Sequence, residues 1–115
     1  MFTKKIIVSD VPDLLAVLGD SFFQREGFSL VRIIDDDEAF SLIEADSPAL
    51  AILDLSSLGK QGIECCHRIK RDPLLQVTPI IIVLGADQSA IREACWQAGC
   101  DQILERPISA LKLLD

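Results

Sequence analysis

The apolar positions fall into short solid runs separated by amphipathic stretches. Lys5-Ile6-Ile7-Val8, rich in β-branched residues and ended by Ser9 and Asp10, predicts a first strand. From Pro12 to about Glu26, the apolar Leu14, Leu15, Leu18, Phe22 and Phe23 recur at helical spacing, with Pro12-Asp13 as the start and Gly27 as the stop. Ser29 to Ile34 predicts a second strand. Asp35-Asp36-Asp37-Glu38 then precedes Ala39, Phe40, Leu42 and Ile43, so one Asp is expected to cap a second helix while its neighbours favour the positive end of the dipole. Ala49 to Leu55 is a nearly all-apolar third strand closing with Asp54, and Ser56 to Gly62 reads as a loop. A helix follows from about Gly62 to Arg71, stopped by Asp72-Pro73. Ile80 to Leu84 is a fourth strand, Gln88 to Ala98 a helix ended by Gly99, and Gln102 to Leu104 a fifth strand broken by Arg106-Pro107. Ser109 to Asp115 begins a last helix.

Repeated strand-helix units, with strands apolar along their whole length, predict a parallel sheet buried on both faces. With right-handed crossovers this is a doubly wound α/β fold of five parallel strands with helices on both faces. Ligands bind such sheets beyond the carboxyl ends of the strands. Those ends carry Ser9 and Asp10, Asp54, Gly85 and Arg106.

Composition narrows the function. A chain of 115 residues, half of them apolar, is expected to form one domain. A net charge of −7 repels a nucleic-acid backbone, so this domain is not expected to bind one. No apolar run approaches the roughly 20 residues that span a bilayer, and no signal peptide opens the chain, so a soluble, cytoplasmic domain away from the membrane is expected. The four cysteines include the adjacent Cys65 and Cys66 but no CxxC, which predicts reduced, mostly buried thiols. No nucleotide-cradling GxxxxGK[ST] or GxGxxG is present. The only histidine, His67, reads as a helix-surface or boundary residue, and Trp96 as partly exposed or core-lining.

Asp10 and Asp54, from separate strands, are expected to converge at one sheet edge. At about 5 Å and an effective dielectric near 20 their repulsion is roughly 3 kcal/mol, which a hard divalent cation or Arg106 would relieve. Equally, Asp10 could be a helix N-cap and Asp54 a solvated strand end. The residues alone leave both readings open.

The stretches Ile7-Val8-Ser9-Asp10-Val11-Pro12-Asp13-Leu14, Ala51-Ile52-Leu53-Asp54-Leu55 with Gly59 and Gly62, and Glu105-Arg106-Pro107 carry a more specific pattern. In order and spacing, and over essentially the whole length, the sequence resembles a CheY-like response-regulator receiver domain with a flavodoxin-like fold. The resemblance implies a signalling domain rather than an enzyme. It makes Asp54 the phosphoacceptor, served by a sensor histidine kinase or small phosphodonor. It further implies a Mg²⁺ site of Asp10, Asp54 and the main-chain carbonyl of Ser56, with Ser9 holding a metal-bound water.

The departures from the family pattern fall on the same site. Ser9 stands where the first acidic residue is expected, Gly85 at the Ser/Thr position that bonds the phosphoryl group, Arg106 in place of the lysine, and Ile103 where a switching aromatic is frequent. Loss of the hydroxyl at Gly85 is expected to cost the phosphorylated state about 1.5 to 3 kcal/mol and to weaken the signal beyond the pocket. Two functions are therefore expected: a working receiver with a weakened Mg²⁺ site, or a phosphorylation-independent pseudo-receiver that binds a partner or forms a homodimer. The last helix stops about two turns in, on the apolar Leu111, Leu113 and Leu114. Residues 1–115 are thus expected to be the N-terminal receiver domain of a longer regulator with a C-terminal output domain.

Overall fold

The computed structural model describes residues 5–13, 15 and 29–106. The strands β1 (Lys5–Ser9), β2 (Ser29–Ile33), β3 (Leu50–Asp54), β4 (Ile80–Leu84) and β5 (Gln102–Glu105) form one parallel sheet in the order β2-β1-β3-β4-β5. This is the five-stranded doubly wound arrangement the repeats predict. The strand order reverses beside β1, so the switch point lies between β1 and β3.

Both sheet faces are buried. Ile7, Ala51, Leu53, Ile80, Ile82 and Leu84 belong to one core, and Ile6, Val8, Ile52, Ile81, Val83 and Leu104 to the other. The alternation along each strand is the period-2 geometry of side chains, with apolar residues on both sides. The first core is covered by α1 (Asp36–Asp46), α2 (Leu55–Leu58), α3 (Lys60–Arg71) and α4 (Arg92–Gln97). Val11, Leu15, Leu30 and Leu50 pack against the second. The helix expected over Pro12 to Glu26 lies, apart from residues 12, 13 and 15, outside the described residues, and the helix expected over Ser109 to Asp115 lies wholly outside them, as does Pro107. Among the described residues no helix is long and apolar enough to cross a membrane.

Several boundaries differ from the sequence reading for local reasons. Asp35 caps α1, its Oδ1 accepting the Glu38 N–H at 2.7 Å. Leu55, expected to end β3, instead opens α2, because the Asp54 carboxylate accepts the Ser56 N–H and starts a helical turn. The expected loop Ser56 to Gly62 is therefore largely helical, and α3 begins at Lys60 rather than Gly62. Gly59 makes this possible: at φ 62° it turns the chain sharply, and its N–H closes α2 on the Leu55 carbonyl. Gly62 then lies inside α3, where a Cβ would overlap Leu55 Cδ2. The helix expected from Gln88 opens instead as a 3₁₀ segment, Ala86–Ile91, and only then becomes α4.

All four cysteines are free and buried. Burial pushes the Cys65 and Cys66 thiols up to about 12 and Cys100 to about 11, and raises Cys95. Such thiols pack as small hydrophobes rather than react. Cys65 donates to the Asp36 carbonyl and Cys66 to the Ala98 carbonyl. His67 and Trp96 are exposed.

Candidate functional site

Parallel register gathers the site. Val8 pairs with Ile52, so Asp10, just past β1, and Asp54, the last residue of β3, lie at the same edge of the sheet; Leu84 pairs with Glu105, so Gly85 and Arg106 follow side by side. The Arg106 N–H extends that ladder by donating to the Leu84 carbonyl at 3.0 Å. The carboxyl edge of the sheet thus assembles residues remote in sequence, and an open cavity of about 480 Å³ lies over it, lined by Val11, Pro12, Asp13, Asp54, Ser56 and Arg106.

Asp54 is the buried charge of this edge, its side chain 1% exposed. A carboxylate so placed needs charged or hydrogen-bonding partners to offset the cost of its burial. Its Oδ1 accepts from the Ser56 N–H at 3.0 Å, the Ser56 hydroxyl at 2.8 Å and Arg106 Nη1 at 3.0 Å. Among the described residues its Oδ2 accepts only from Arg106 Nη2, at 2.8 Å. Among these residues the two oxygens are therefore unequal: one is held by three donors, the other by a single guanidinium nitrogen.

Arg106 joins two carboxylates. Besides Asp54, it donates from Nε and Nη2 to Asp13 at 2.6 and 3.0 Å, and from Nη1 to the Ser56 hydroxyl at 2.9 Å. These bonds, first those to Asp54 and then those to Asp13, push its pKa further above the ordinary arginine range. A planar guanidinium can span two acids in this way, where a compact ammonium could serve them only as a point charge.

Asp13 is the residue that sequence reasoning missed. It was visible as part of a helix start, yet the pairing depends on a contact spanning 93 residues, which no local pattern encodes. A cation at Arg106 was expected to balance Asp10 and Asp54. The guanidinium instead serves Asp13 and Asp54, and none of its bonds goes to Asp10, whose residue is exposed.

Ser9 is fully buried, and its hydroxyl accepts the Asp54 N–H at 2.9 Å, tying β1 to the end of β3. Gly85 is buried as well, and a Cβ there would lie 3.8 Å from the Ser56 hydroxyl, 3.0 Å from Asp87 Oδ1 and 3.5 Å from Gln88 Oε1. Ile103, half-buried, packs against the first core. Among the described residues no group of three or more His, Cys, Asp or Glu side chains is gathered to hold a metal.

Residues 6–115 match the family model of the response regulator receiver domain. The chain is 31% identical over 110 residues to the phosphate regulon transcriptional regulatory protein PhoB of Rhizobium meliloti (strain 1021), covering 96% of this chain and 48% of that protein. It thus spans about half the length of the curated relatives it matches. Its fold is similar to that of a response regulator protein from Burkholderia pseudomallei with a phosphorylated aspartic acid, calcium ion and citrate. That similarity has a TM-score of 0.77 at 20% identity over 96% of this chain and 64% of that one. It is also similar to the receiver domain of a sensor histidine kinase from Pseudomonas aeruginosa PAO1 with a magnesium ion coordinated in the active site cleft. There the TM-score is 0.77 at 19% identity, over 99% of this chain and 93% of that one.

Proposed function

This chain belongs to the response regulator receiver domain family, and we propose that Asp54 is its phosphoacceptor, charged by a sensor histidine kinase or a small phosphodonor. The observation that carries this reading is the inequality of the Asp54 oxygens. Among the described residues Oδ2 has only Arg106 Nη2 to release, whereas Oδ1 is held by Ser56 from two sides. Oδ2 is therefore the nucleophile: it forms the bond to phosphorus as the bond from phosphorus to the donor's leaving group breaks, giving an acyl phosphate and the departing group. Ser56 meanwhile orients the carboxylate, and Ser9 anchors its main chain.

The donor chemistry of the edge fits a hard divalent cation. Mg²⁺ retains several waters and binds through one or two carboxylates plus phosphate oxygens, so the all-oxygen set of Asp10, Asp54 and the Ser56 carbonyl would hold it, while Ser9, expected to hold a metal-bound water, is buried with its hydroxyl on the Asp54 N–H. Mg²⁺ there would neutralise charge on the transferring phosphoryl group. Arg106 shares that task from the other side and must yield its hold on Oδ2 as the phosphoryl group arrives. Asp13 gives the guanidinium an alternative carboxylate during that release, so the positive charge stays at the cavity.

The signalling role follows: modification at Asp54 biases an equilibrium read by an output domain or partner protein. The test is incubation with acetyl phosphate. Intact mass should rise by one phosphoryl group with Mg²⁺ and not with chelator, and Asp54→Asn should abolish the gain. Unchanged mass in wild type with Mg²⁺ would oppose the reading.

A further inference from the structure

Gly85 stands at the head of the loop after β4 with no side chain to offer the acceptor site. The neighbouring space is not empty. Gln88, three residues on and half-buried, folds its carboxamide back across the gap. Its Oε1 accepts the Gly85 N–H at 2.9 Å, and its Nε2 donates to the Leu55 carbonyl at 3.2 Å. One end of the amide therefore holds the loop that opens the 3₁₀ segment Ala86–Ile91, and the other holds the residue directly after Asp54.

The Leu55 carbonyl is itself a junction, because it also accepts the Gly59 N–H at 2.8 Å that closes α2. Leu55 is 1% exposed, wedged against Gly62 of α3, so the carbonyl cannot drift without moving packed side chains. Among the described residues, this carboxamide is the side-chain hydrogen bond that joins the loop after β4 to the segment carrying Asp54.

We propose that Gln88 is a positioning residue for signal transfer: its carboxamide is the mechanical link between the acceptor segment Asp54–Gly59 and the Ala86–Ile91 turn, standing in for the side chain that Gly85 lacks. A shift of the acceptor segment moves the Leu55 carbonyl. The amide passes that shift to the Gly85 N–H at its other end, and the turn leading into α4 follows. The route rests on Asp54 being the modified residue only for its trigger; the link itself exists in the unmodified protein. Weak propagation, expected from Gly85 alone, thus becomes propagation that depends on Gln88.

The two bonds can be separated chemically. Gln88→Glu keeps an acceptor for the Gly85 N–H but has no proton to donate to Leu55 when ionised. Gln88→Met, uncharged and of similar length, loses both bonds and controls for the added charge. In NMR spectra of the 115-residue chain without ligand, Gln88→Glu should displace the Leu55 carbonyl carbon resonance while the Gly85 amide stays close to its wild-type position. An unmoved Leu55 resonance overturns the proposal, whether or not Asp54 is ever modified. With beryllofluoride and Mg²⁺, wild type should respond at residues 54–59 and at 86–91. Both variants should keep the first response and lose at least about two-thirds of the second. A full response at 86–91 in either variant overturns the proposal. A wild type silent at 54–59 counts instead against Asp54 as the phosphoacceptor, and the Leu55 resonance then decides the role of Gln88 alone.

Discussion

Arg106 places one guanidinium nitrogen on each carboxylate oxygen of Asp54, Nη1 on Oδ1 at 3.0 Å and Nη2 on Oδ2 at 2.8 Å. The acid is 1% exposed and the arginine 22%. Removing one member of a buried ion pair strands the other, at a cost of about 3 kcal/mol or more. Arg106→Met should therefore lower unfolding stability near neutral pH by about that much. Urea unfolding of Arg106→Met in an Asp54→Asn background should show a clearly smaller loss. Equal losses in the two backgrounds would mean that Arg106 stabilises the fold through something other than Asp54.

Asp13 should behave differently, although its bonds to Arg106 are as short. Its side chain is 46% exposed, so water screens the pair and replaces lost bonds readily. Asp13→Asn is expected to cost under about 1 kcal/mol in the same measurement. Its effect should fall instead on modification. Without the alternative carboxylate, Arg106 stays on Asp54, and reaction with acetyl phosphate slows. A rate equal to wild type would remove Asp13 from the account.

How much of this was legible in the sequence divides by range. The sheet was readable because solid β-branched runs such as Ile80 to Leu84 have no other stable placement, and Asp54 was conspicuous as a charge closing an apolar strand. The position of Arg106 at the same edge follows from topology once the strands are parallel. Its choice of Asp13 over Asp10 does not, since the two acids are close in sequence and no local pattern distinguishes them. The opening of α2 at Leu55 was hidden for a related reason: the cap is Asp54, the proposed phosphoacceptor, whose side chain also sets the local structure. The Gln88 carboxamide escaped notice because a glutamine in a polar turn carries no pattern.

The buried thiols set an alkaline limit on the fold. Cys65 and Cys66 are raised to about 12 and Cys100 to about 11 from an ordinary 9.0. The unfolded chain therefore releases these protons first as pH climbs past 9, and their contribution to stability, intact below that, is lost as pH rises toward 12. Urea midpoints should fall from about pH 9 upward, and less steeply in a Cys65→Ala, Cys66→Ala variant. Equal slopes in the two proteins would mean that other groups govern the decline.

Gly85→Thr tests what the missing hydroxyl is worth. The backbone there, at φ −75° and ψ 164°, is extended and accepts a β-branched residue. The new Cβ would meet Asp87 Oδ1 at 3.0 Å, the movable end of an exposed side chain. The variant should fold with near-wild-type stability. Its hydroxyl should then tighten beryllofluoride binding roughly tenfold, corresponding to a charge-assisted hydrogen bond of about 1.5 kcal/mol. Unchanged affinity in a folded variant would show that the hydroxyl does not reach the phosphoryl position.

Asp54, and no other acid at this crowded edge, is the proposed acceptor of the phosphoryl group. Borohydride reduces an acyl phosphate to an alcohol and so marks the modified residue permanently. After acetyl phosphate and Mg²⁺ treatment, peptide sequencing by mass spectrometry should find homoserine at position 54, with Asp10 and Asp13 intact. Homoserine at position 10 or 13 would contradict the claim, as would its absence both from wild type and from a Ser9→Asp, Gly85→Thr, Arg106→Lys triple variant that restores the family's pattern.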